Sequence, residues 1–159
     1  MPQAAIDRLM SMCENHADKI AELWYKAVSS NERTKTCRSI SKEASLRHAI
    51  AIYKNMGRMY FSENAYKEVE QVLDVEGLVE DCYARGIPLE EVLYALILLR
   101  RHIWISAENE ALFELALNDM YEAVKGINRI LLIFDYISYI VARRYRVLAE
   151  KKETNLRAK

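Results

Sequence analysis

The stretch that decides the fold is residues 83–103, which read YARGIPLEEVLYALILLRRHI. Gly86 suits the left-handed residue that ends one helix, and Pro88 followed by acidic residues suits the start of the next. From Pro88 onward, apolar residues recur every three or four positions, and Ile97 adds a second apolar side. This spacing predicts a central helix.

Upstream of this stretch, the same spacing predicts one helix over 4–29, a second over 42–62 and two short helices within 64–85. The segment before Ser41 has no periodicity, so it predicts a loop that ends where Ser41 caps the next helix. The two short helices should divide at Asp74, which would cap the second. Gly57 favours close packing of another element. The predicted inner face of the second helix includes Leu46, Ala49, Ile50 and Tyr53, with His48 near its edge.

Downstream of this stretch, residues 108–122 form an acidic amphipathic segment, and the chain continues without proline into a long last helix. Residues 127–142 are strongly apolar but shorter than the roughly 20 residues of a membrane span, and they contain charges. Residues 143–159 hold seven basic and two acidic side chains and should project from the globule as the exposed end of the helix. We predict a single all-α domain over 1–159, a helical bundle with a long C-terminal helix and no membrane span.

Composition agrees with one globular helical domain, since 52% of the 159 residues are hydrophobic and only four are glycine and two proline. The 23 basic and 23 acidic residues cancel, which argues against the strong positive field of a nucleic-acid-binding protein. The cysteines, Cys13, Cys37 and Cys82, are odd in number and widely spaced, and the first residues do not resemble a signal peptide. We therefore expect a cytoplasmic protein that does not bind nucleic acid.

Motifs of catalysis are missing from the sequence, which has no GxSxG, no HExxH and no glycine-rich phosphate loop. The adjacent acids Glu90 and Glu91 suit the first turn of a helix, where the helix dipole and solvent explain them. The cysteines and histidines form no ligand cluster for a metal. We expect a protein that acts by binding, without enzymatic activity, metal or cofactor.

Tyrosine is unusually common, with ten residues against three phenylalanines, and several tyrosines lie in apolar helical contexts. Buried hydroxyl groups need hydrogen-bond partners, so these rings either belong to an ordinary core or line a cavity for a small apolar ligand. The candidate pocket residues are Tyr53, Met56, Tyr60, Tyr94, Leu98 and His102. As an alternative function, His102 on the apolar central helix is the candidate axial ligand of a heme-binding gas sensor.

The last helix carries apolar residues at alternating three- and four-residue steps, a heptad-like seam that predicts a homodimer. The interface candidates are Ile127, Ile130, Phe134, Ile137, Val141 and Leu148. The same residues could instead pack inside one monomer. Charge is also uneven, with seven acids and one base in residues 63–81 and a basic C-terminal end. Faces of opposite sign give a second alternative, a protein–protein adaptor.

Three segments, LWYKAV at 23–28, the stretch 83–103 and FDYISYIVARRYRVLAEKKE at 134–153, resemble a known family. With them, most of the chain is similar to the N-terminal sensor domain of RsbRD-type RsbT co-antagonist proteins. The resemblance implies a globin-like helical fold, usually dimeric and often without heme. It also implies a non-enzymatic input module of bacterial stress signalling, whose last helix passes a conformational signal to an output domain or a partner protein.

Overall fold

The computed structural model describes residues 2–110 and 120–159, with side chains from Ala5 onward. All regular elements of these residues are helical, and eight of them are α-helices. They are α1 (Pro2–Asn15), α2 (Ala17–Ser30), α3 (Lys42–Lys54), α4 (Met56–Phe61), α5 (Ala65–Glu76), α6 (Leu78–Ala84), α7 (Leu89–Asn109) and α8 (Met120–Arg157), and two 3₁₀ turns (Glu32–Thr34 and Thr36–Ser39) join α2 to α3. The predicted all-α bundle with a long C-terminal helix is confirmed.

The helix α8 is the centre of the packing, since it contacts α1, α4, α5, α6 and α7, while α2 packs between α3 and α7. Its inner face is fully buried, as Ile130, Ile133 and Ile140 show. Burial of such side chains is the main term that stabilises a bundle. The helix α7 is buried along one broad face, but Ile97 is 47% exposed, so the predicted second apolar side does not reach the core there.

The predicted helix over 4–29 is divided in two at His16, which has φ −112° and ψ 19°. The hydrogen bonds from His16 N to Met12 O (2.9 Å) and from Ile20 N to His16 O (3.0 Å) continue across the bend. The apolar stripe therefore keeps its phase, while α1 turns toward α4 and α8, and α2 turns toward α3 and α7. A single helix was the wrong prediction because a bend that preserves the phase leaves no mark in the periodicity.

The predicted helix over 42–62 divides in the same way at Asn55, between α3 and α4. The Asn55 side-chain Nδ2 donates to Ala51 O at 2.8 Å, the carbonyl that also receives the Asn55 backbone N–H. Side chains that bond to nearby carbonyls in this way bend helices.

The boundary between α5 and α6 lies at Gly77, three residues after the predicted cap, Asp74. Gly77 has φ +63°, a left-handed conformation that glycine adopts without steric cost, and its N–H donates to Leu73 O. Asp74 remains within α5 and forms an ion pair with Arg144 of α8. Its carboxylate is therefore a contact between helices and not a cap.

Close helix packing occurs at Gly126 rather than at the predicted Gly57. A Cβ atom at Gly126 would overlap the side chain of Ile6 in α1 and lie 3.3 Å from the Tyr60 hydroxyl. A Cβ atom at Gly57 would lie at an ordinary distance, 3.8 Å, from Met10 Cβ. Gly126 therefore lets α1 approach α8.

The turn before α7 matches the prediction at Gly86, which has φ +68°, whereas Pro88, predicted as the first helical residue, lies one residue before the helix. Replacing Gly86 by alanine should lower the free energy of unfolding by about 1 kcal/mol, because a Cβ atom disfavours this conformation. No atom lies within 4 Å of the added Cβ, so the effect is purely conformational. Gly57→Ala in α4 is the control, and its stability in urea should stay the same or rise. Equal stability of Gly86→Ala and wild type would contradict the left-handed assignment.

Two further predictions concern a membrane span and an acidic helix over 108–122. Among the helices that the structure describes, none has the length and apolarity needed to cross a bilayer. The predicted acidic helix over 108–122 lies mostly outside the described residues, with its first residues in α7 and its last in α8.

Candidate functional site

A cavity of about 50 Å³ lies between α2, α3, α6 and α7, beside the second 3₁₀ turn. Most of its wall is aliphatic. The remaining side chains are one indole, one imidazole, one hydroxyl and two thiols, which belong to Trp24, His48, Ser45, Cys37 and Cys82. We refer to this space, lined by these five residues and the aliphatic side chains between them, as the His48 cavity.

His48 reaches the cavity because α3 buries the face formed by Ser45, His48, Ala49 and Ile52, which are three or four residues apart. The imidazole is only 4% exposed. Its Nε2 lies 2.9 Å from Asp81 Oδ2, and since a carboxylate only accepts, Nε2 carries the proton. Its Nδ1 is buried and has no hydrogen-bond partner among the described residues.

The charge state of His48 follows from its surroundings. Burial lowers the pKa of His48 below its ordinary value, and this effect outweighs the opposite effect of the Asp81 carboxylate. Arg47 lowers the pKa further, whereas Glu76 raises it slightly. The ring is therefore neutral near pH 7, and Nδ1 presents a lone pair that can accept a hydrogen bond.

This lowered pKa predicts a dependence of stability on pH. The unfolded chain binds a proton at His48 near pH 6.5, whereas the folded chain binds it at lower pH. The contribution of His48 to the free energy of unfolding should therefore be fully present above pH 6.5. It should be lost as the pH drops through that value toward the folded-state pKa. Urea unfolding at pH 7.5 and 5.5 should show a smaller loss in His48→Gln than in wild type. Equal losses in the two proteins would mean that His48 does not contribute.

Trp24 and Glu91 hold the walls of the cavity in place. The Trp24 indole, 8% exposed, donates from Nε1 to Ala95 O at 2.9 Å and so links α2 to α7. Glu91, in the first turn of α7, accepts from Thr36 N at 2.7 Å and from Thr36 Oγ1 at 2.8 Å. This bond fixes the 3₁₀ turn that carries Cys37. Glu91 therefore has a structural role beyond the first-turn charge that the sequence indicated.

The two thiols of the cavity are poor nucleophiles. Burial raises the pKa of Cys82 to about 12 and that of Cys37 to about 11. Reactive cysteines have a lowered pKa, since the thiolate is the nucleophile. Cys37 and Cys82 thus contribute weakly polar surface to the cavity wall.

None of the six predicted pocket residues lines the His48 cavity. Tyr53 is fully buried and donates its hydroxyl to Leu99 O at 2.8 Å, so its polar atom is already satisfied. Met56 and Leu98 are core side chains. Tyr60 and Tyr94 are half-buried on the outer side, where the guanidinium groups of Arg129 and Arg33 lie over their rings.

His102, the candidate heme ligand, is buried on α7 with Nδ1 2.7 Å from Leu98 O. This bond places the proton on Nδ1 and leaves Nε2 as the atom that can bind a metal, an arrangement common in metal-binding histidines. The His48 cavity, however, does not include His102, and cofactor sites occupy roughly 300–1,000 Å³. The cavity therefore does not fit heme.

The predicted dimer seam belongs largely to the monomer core. Ile130, Phe134, Ile137 and Val141 are at most 2% exposed within a single chain, so they cannot contact a second copy. The other two candidates, Ile127 and Leu148, are half-buried. At the four buried positions, a dimer seam was therefore the wrong interpretation of the spacing, and packing inside one monomer is the correct one. The exposed large apolar residues of α8 lie elsewhere on the helix and are Met120, Tyr121, Val124, Leu132, Tyr139, Val147 and Leu156.

The acidic segment predicted as an adaptor surface is largely paired within the fold. Five of its side chains meet arginines of other helices, in the pairs Arg58–Glu68 (2.7 Å), Arg143–Glu70 (2.9 Å), Arg144–Asp74, Arg47–Glu76 (3.6 Å) and Arg47–Asp81 (3.5 Å). The described end of the chain, residues 149–159, is exposed throughout. The charge asymmetry of the sequence therefore serves partly to attach α5 to its neighbours.

Comparisons with protein-family models, with curated proteins and with solved structures found no match for this chain. The relation to the RsbRD-type sensor domains, and with it the globin-like arrangement, stays a prediction from the three segments quoted above.

Proposed function

We propose that the chain is a non-enzymatic sensory domain of a bacterial signalling protein. It binds a small molecule in the His48 cavity, without metal or cofactor, and passes the resulting change in conformation to α8. The observation that supports this proposal best is the position of α6. Leu78 and Cys82 of this helix line the cavity, and the next residue, Tyr83, contacts α8.

The contact between α6 and α8 includes a pair of aromatic rings. Tyr83 and Tyr145 meet edge to face with their centroids 5.4 Å apart. The Tyr145 hydroxyl donates to Ile87 O at 3.1 Å, so the same side chain also holds the turn between α6 and α7. A displacement of α6 by a ligand would therefore change the support of Tyr145, since packed side chains do not deform continuously.

The conformational change would leave the domain through α8 itself. Tyr145 is its last buried residue, and the helix continues to Arg157 with residues 149–157 exposed. A continuous helix transmits a tilt or rotation from its buried half to its exposed half. An output domain or a partner protein would receive the signal at the exposed half.

In this proposal the homodimer forms through the outer face of α8 instead of the buried seam. Leu132 and Tyr139 are exposed and seven residues apart, so they lie on the same side of the helix. The double variant Leu132→Glu, Tyr139→Glu should be monomeric by light scattering at tens of micromolar, with the circular dichroism spectrum of wild type. A wild-type protein that is itself monomeric at this concentration would contradict the dimer.

Xenon is a suitable probe of coupling, because it occupies small apolar cavities and forms no hydrogen bonds. In wild type, xenon pressure should shift backbone amide NMR signals around the cavity and along α8 beyond Tyr145. In Tyr83→Ala, the cavity signals should still shift, whereas those beyond Tyr145 should not.

Tyr66→Ala is the matched control, because Tyr66 packs edge to face on Tyr136 of α8 at 5.4 Å but does not line the cavity. This variant should retain the xenon response of α8. The proposal fails if xenon shifts no signals beyond Tyr145 in wild type, or if Tyr66→Ala and Tyr83→Ala abolish the response equally.

A further inference from the structure

We infer that the ligand of the His48 cavity is a small, largely apolar molecule with one hydrogen-bond donor, a hydroxyl or an N–H group, which donates to His48 Nδ1. The inference rests on the proposed function, because it specifies the ligand chemistry of the same cavity. It adds His48 as the residue that selects the ligand.

The unpaired acceptor at Nδ1 is the first argument. Buried polar atoms are nearly always hydrogen-bonded, and an unsatisfied one is costly. The ring cannot rotate to find another partner without losing the bond from Nε2 to Asp81 Oδ2. Asp81 is itself held by Arg47, whose Nη2 lies 3.5 Å from the same oxygen. A ligand that donates a hydrogen bond would satisfy Nδ1 with the ring in place.

The remaining wall of the cavity excludes other ligand classes. None of the described side chains that line it is charged, so an ionised ligand would lose its hydration without gaining an opposite charge from them. The Trp24 N–H already donates to Ala95 O and is not available to a ligand that only accepts. The Ser45 hydroxyl also lines the cavity and could donate to a ligand that only accepts, but such a ligand would leave His48 Nδ1 unpaired, so a hydroxyl group on the ligand is favoured.

The volume limits the size of the ligand. A single water molecule needs at least about 10–15 Å³ of cavity volume, so a cavity of about 50 Å³ has room for at least three such positions and holds a molecule of roughly three non-hydrogen atoms without expansion. Short alcohols have this size. The best ligands of so few atoms reach Kd values of roughly 1 mM.

Ethanol and acetonitrile separate the roles of size and hydrogen bonding, because they have the same number of non-hydrogen atoms and only ethanol donates. Each is titrated into ¹⁵N-labelled wild type and into His48→Leu, whose side chain is similar in size but has no hydrogen-bond acceptor. Ethanol should shift cavity amide signals saturably in wild type. Acetonitrile should bind about tenfold more weakly, and His48→Leu should bind ethanol about tenfold more weakly than wild type.

Equal binding of ethanol and acetonitrile in wild type, or undiminished ethanol binding in His48→Leu, would overturn the inference and leave the proposed function intact if xenon still binds. If His48→Leu does not fold, the ¹⁵N signal of Nδ1 in wild type decides instead, since an accepted hydrogen bond moves it upfield. An Nδ1 signal that ethanol does not move would overturn the inference. If neither solvent nor xenon shifts any cavity signal, the proposed function fails as well.

Discussion

Replacing Val141 by glutamate is expected to unfold the domain at 25 °C. Val141 is fully buried on the inner face of α8, among the core side chains of the bundle. An unpaired charge at such a position costs several kcal/mol, which is comparable to the roughly 5–15 kcal/mol that stabilise a whole domain. Circular dichroism should show loss of most of the helical signal, and the amide NMR spectrum should lose its dispersion.

Val147→Glu is the matched control, since it makes the same chemical change on the same helix at a site that is 37% exposed. Its stability should stay within about 0.5 kcal/mol of wild type. If Val141→Glu gave a folded monomer, Val141 would lie at a dimer interface, and the burial of α8 described above would be contradicted.

Replacing Trp24 by alanine is expected to lower the free energy of unfolding by about 3–5 kcal/mol. The substitution removes a buried indole and leaves Ala95 O without the donor it receives at 2.9 Å. It also enlarges the His48 cavity, which Trp24 lines. Urea unfolding followed by circular dichroism measures the loss.

Trp24→Phe separates the two contributions, because it keeps most of the apolar volume and removes the N–H donor. Its cost should be about 1–3 kcal/mol, well below that of alanine. A loss under about 1 kcal/mol for Trp24→Ala would place the indole at the surface instead of between α2 and α7.

The elements that the sequence predicted correctly have local signals. Gly86 and Pro88 mark the start of α7 by their backbone preferences, and Ser41 caps α3 by accepting from Ala44 N at 3.2 Å. The bends at His16 and Asn55 leave the apolar stripe and the backbone hydrogen bonds continuous, so the periodicity of the sequence does not reveal them. Helix existence was therefore predictable, whereas the division of the two N-terminal helices was not.

The candidate site was missed because α3 is apolar on two sides. The sequence favoured a face through Leu46 and Ile50, whereas the buried face is shifted by one residue and includes Ser45 and His48. A pattern based on hydrophobicity alone does not predict that a serine and a histidine are buried in a core. The reason to bury His48 is its bond to Asp81, 33 residues away in the chain, which no local pattern reveals.

The last helix shows a related limit of periodicity. Alternating steps of three and four residues describe any helix with one apolar face, whether that face meets the same chain or a second copy. The contacts of α8 with five other helices decide the matter, because they occupy the face that a dimer seam would need.

Because α8 runs without a break from the core to Arg157, its number of residues fixes two things. One is the distance of its end from the core, and the other is the direction around the helix axis in which that end points. Each residue of an α-helix advances the axis by about 1.5 Å and turns it by about 100°. Deleting one residue from 149–157 would therefore swing a partner attached beyond Arg157 to a different side of the bundle. Deleting seven would bring the partner about 10 Å closer while it faced almost the original direction.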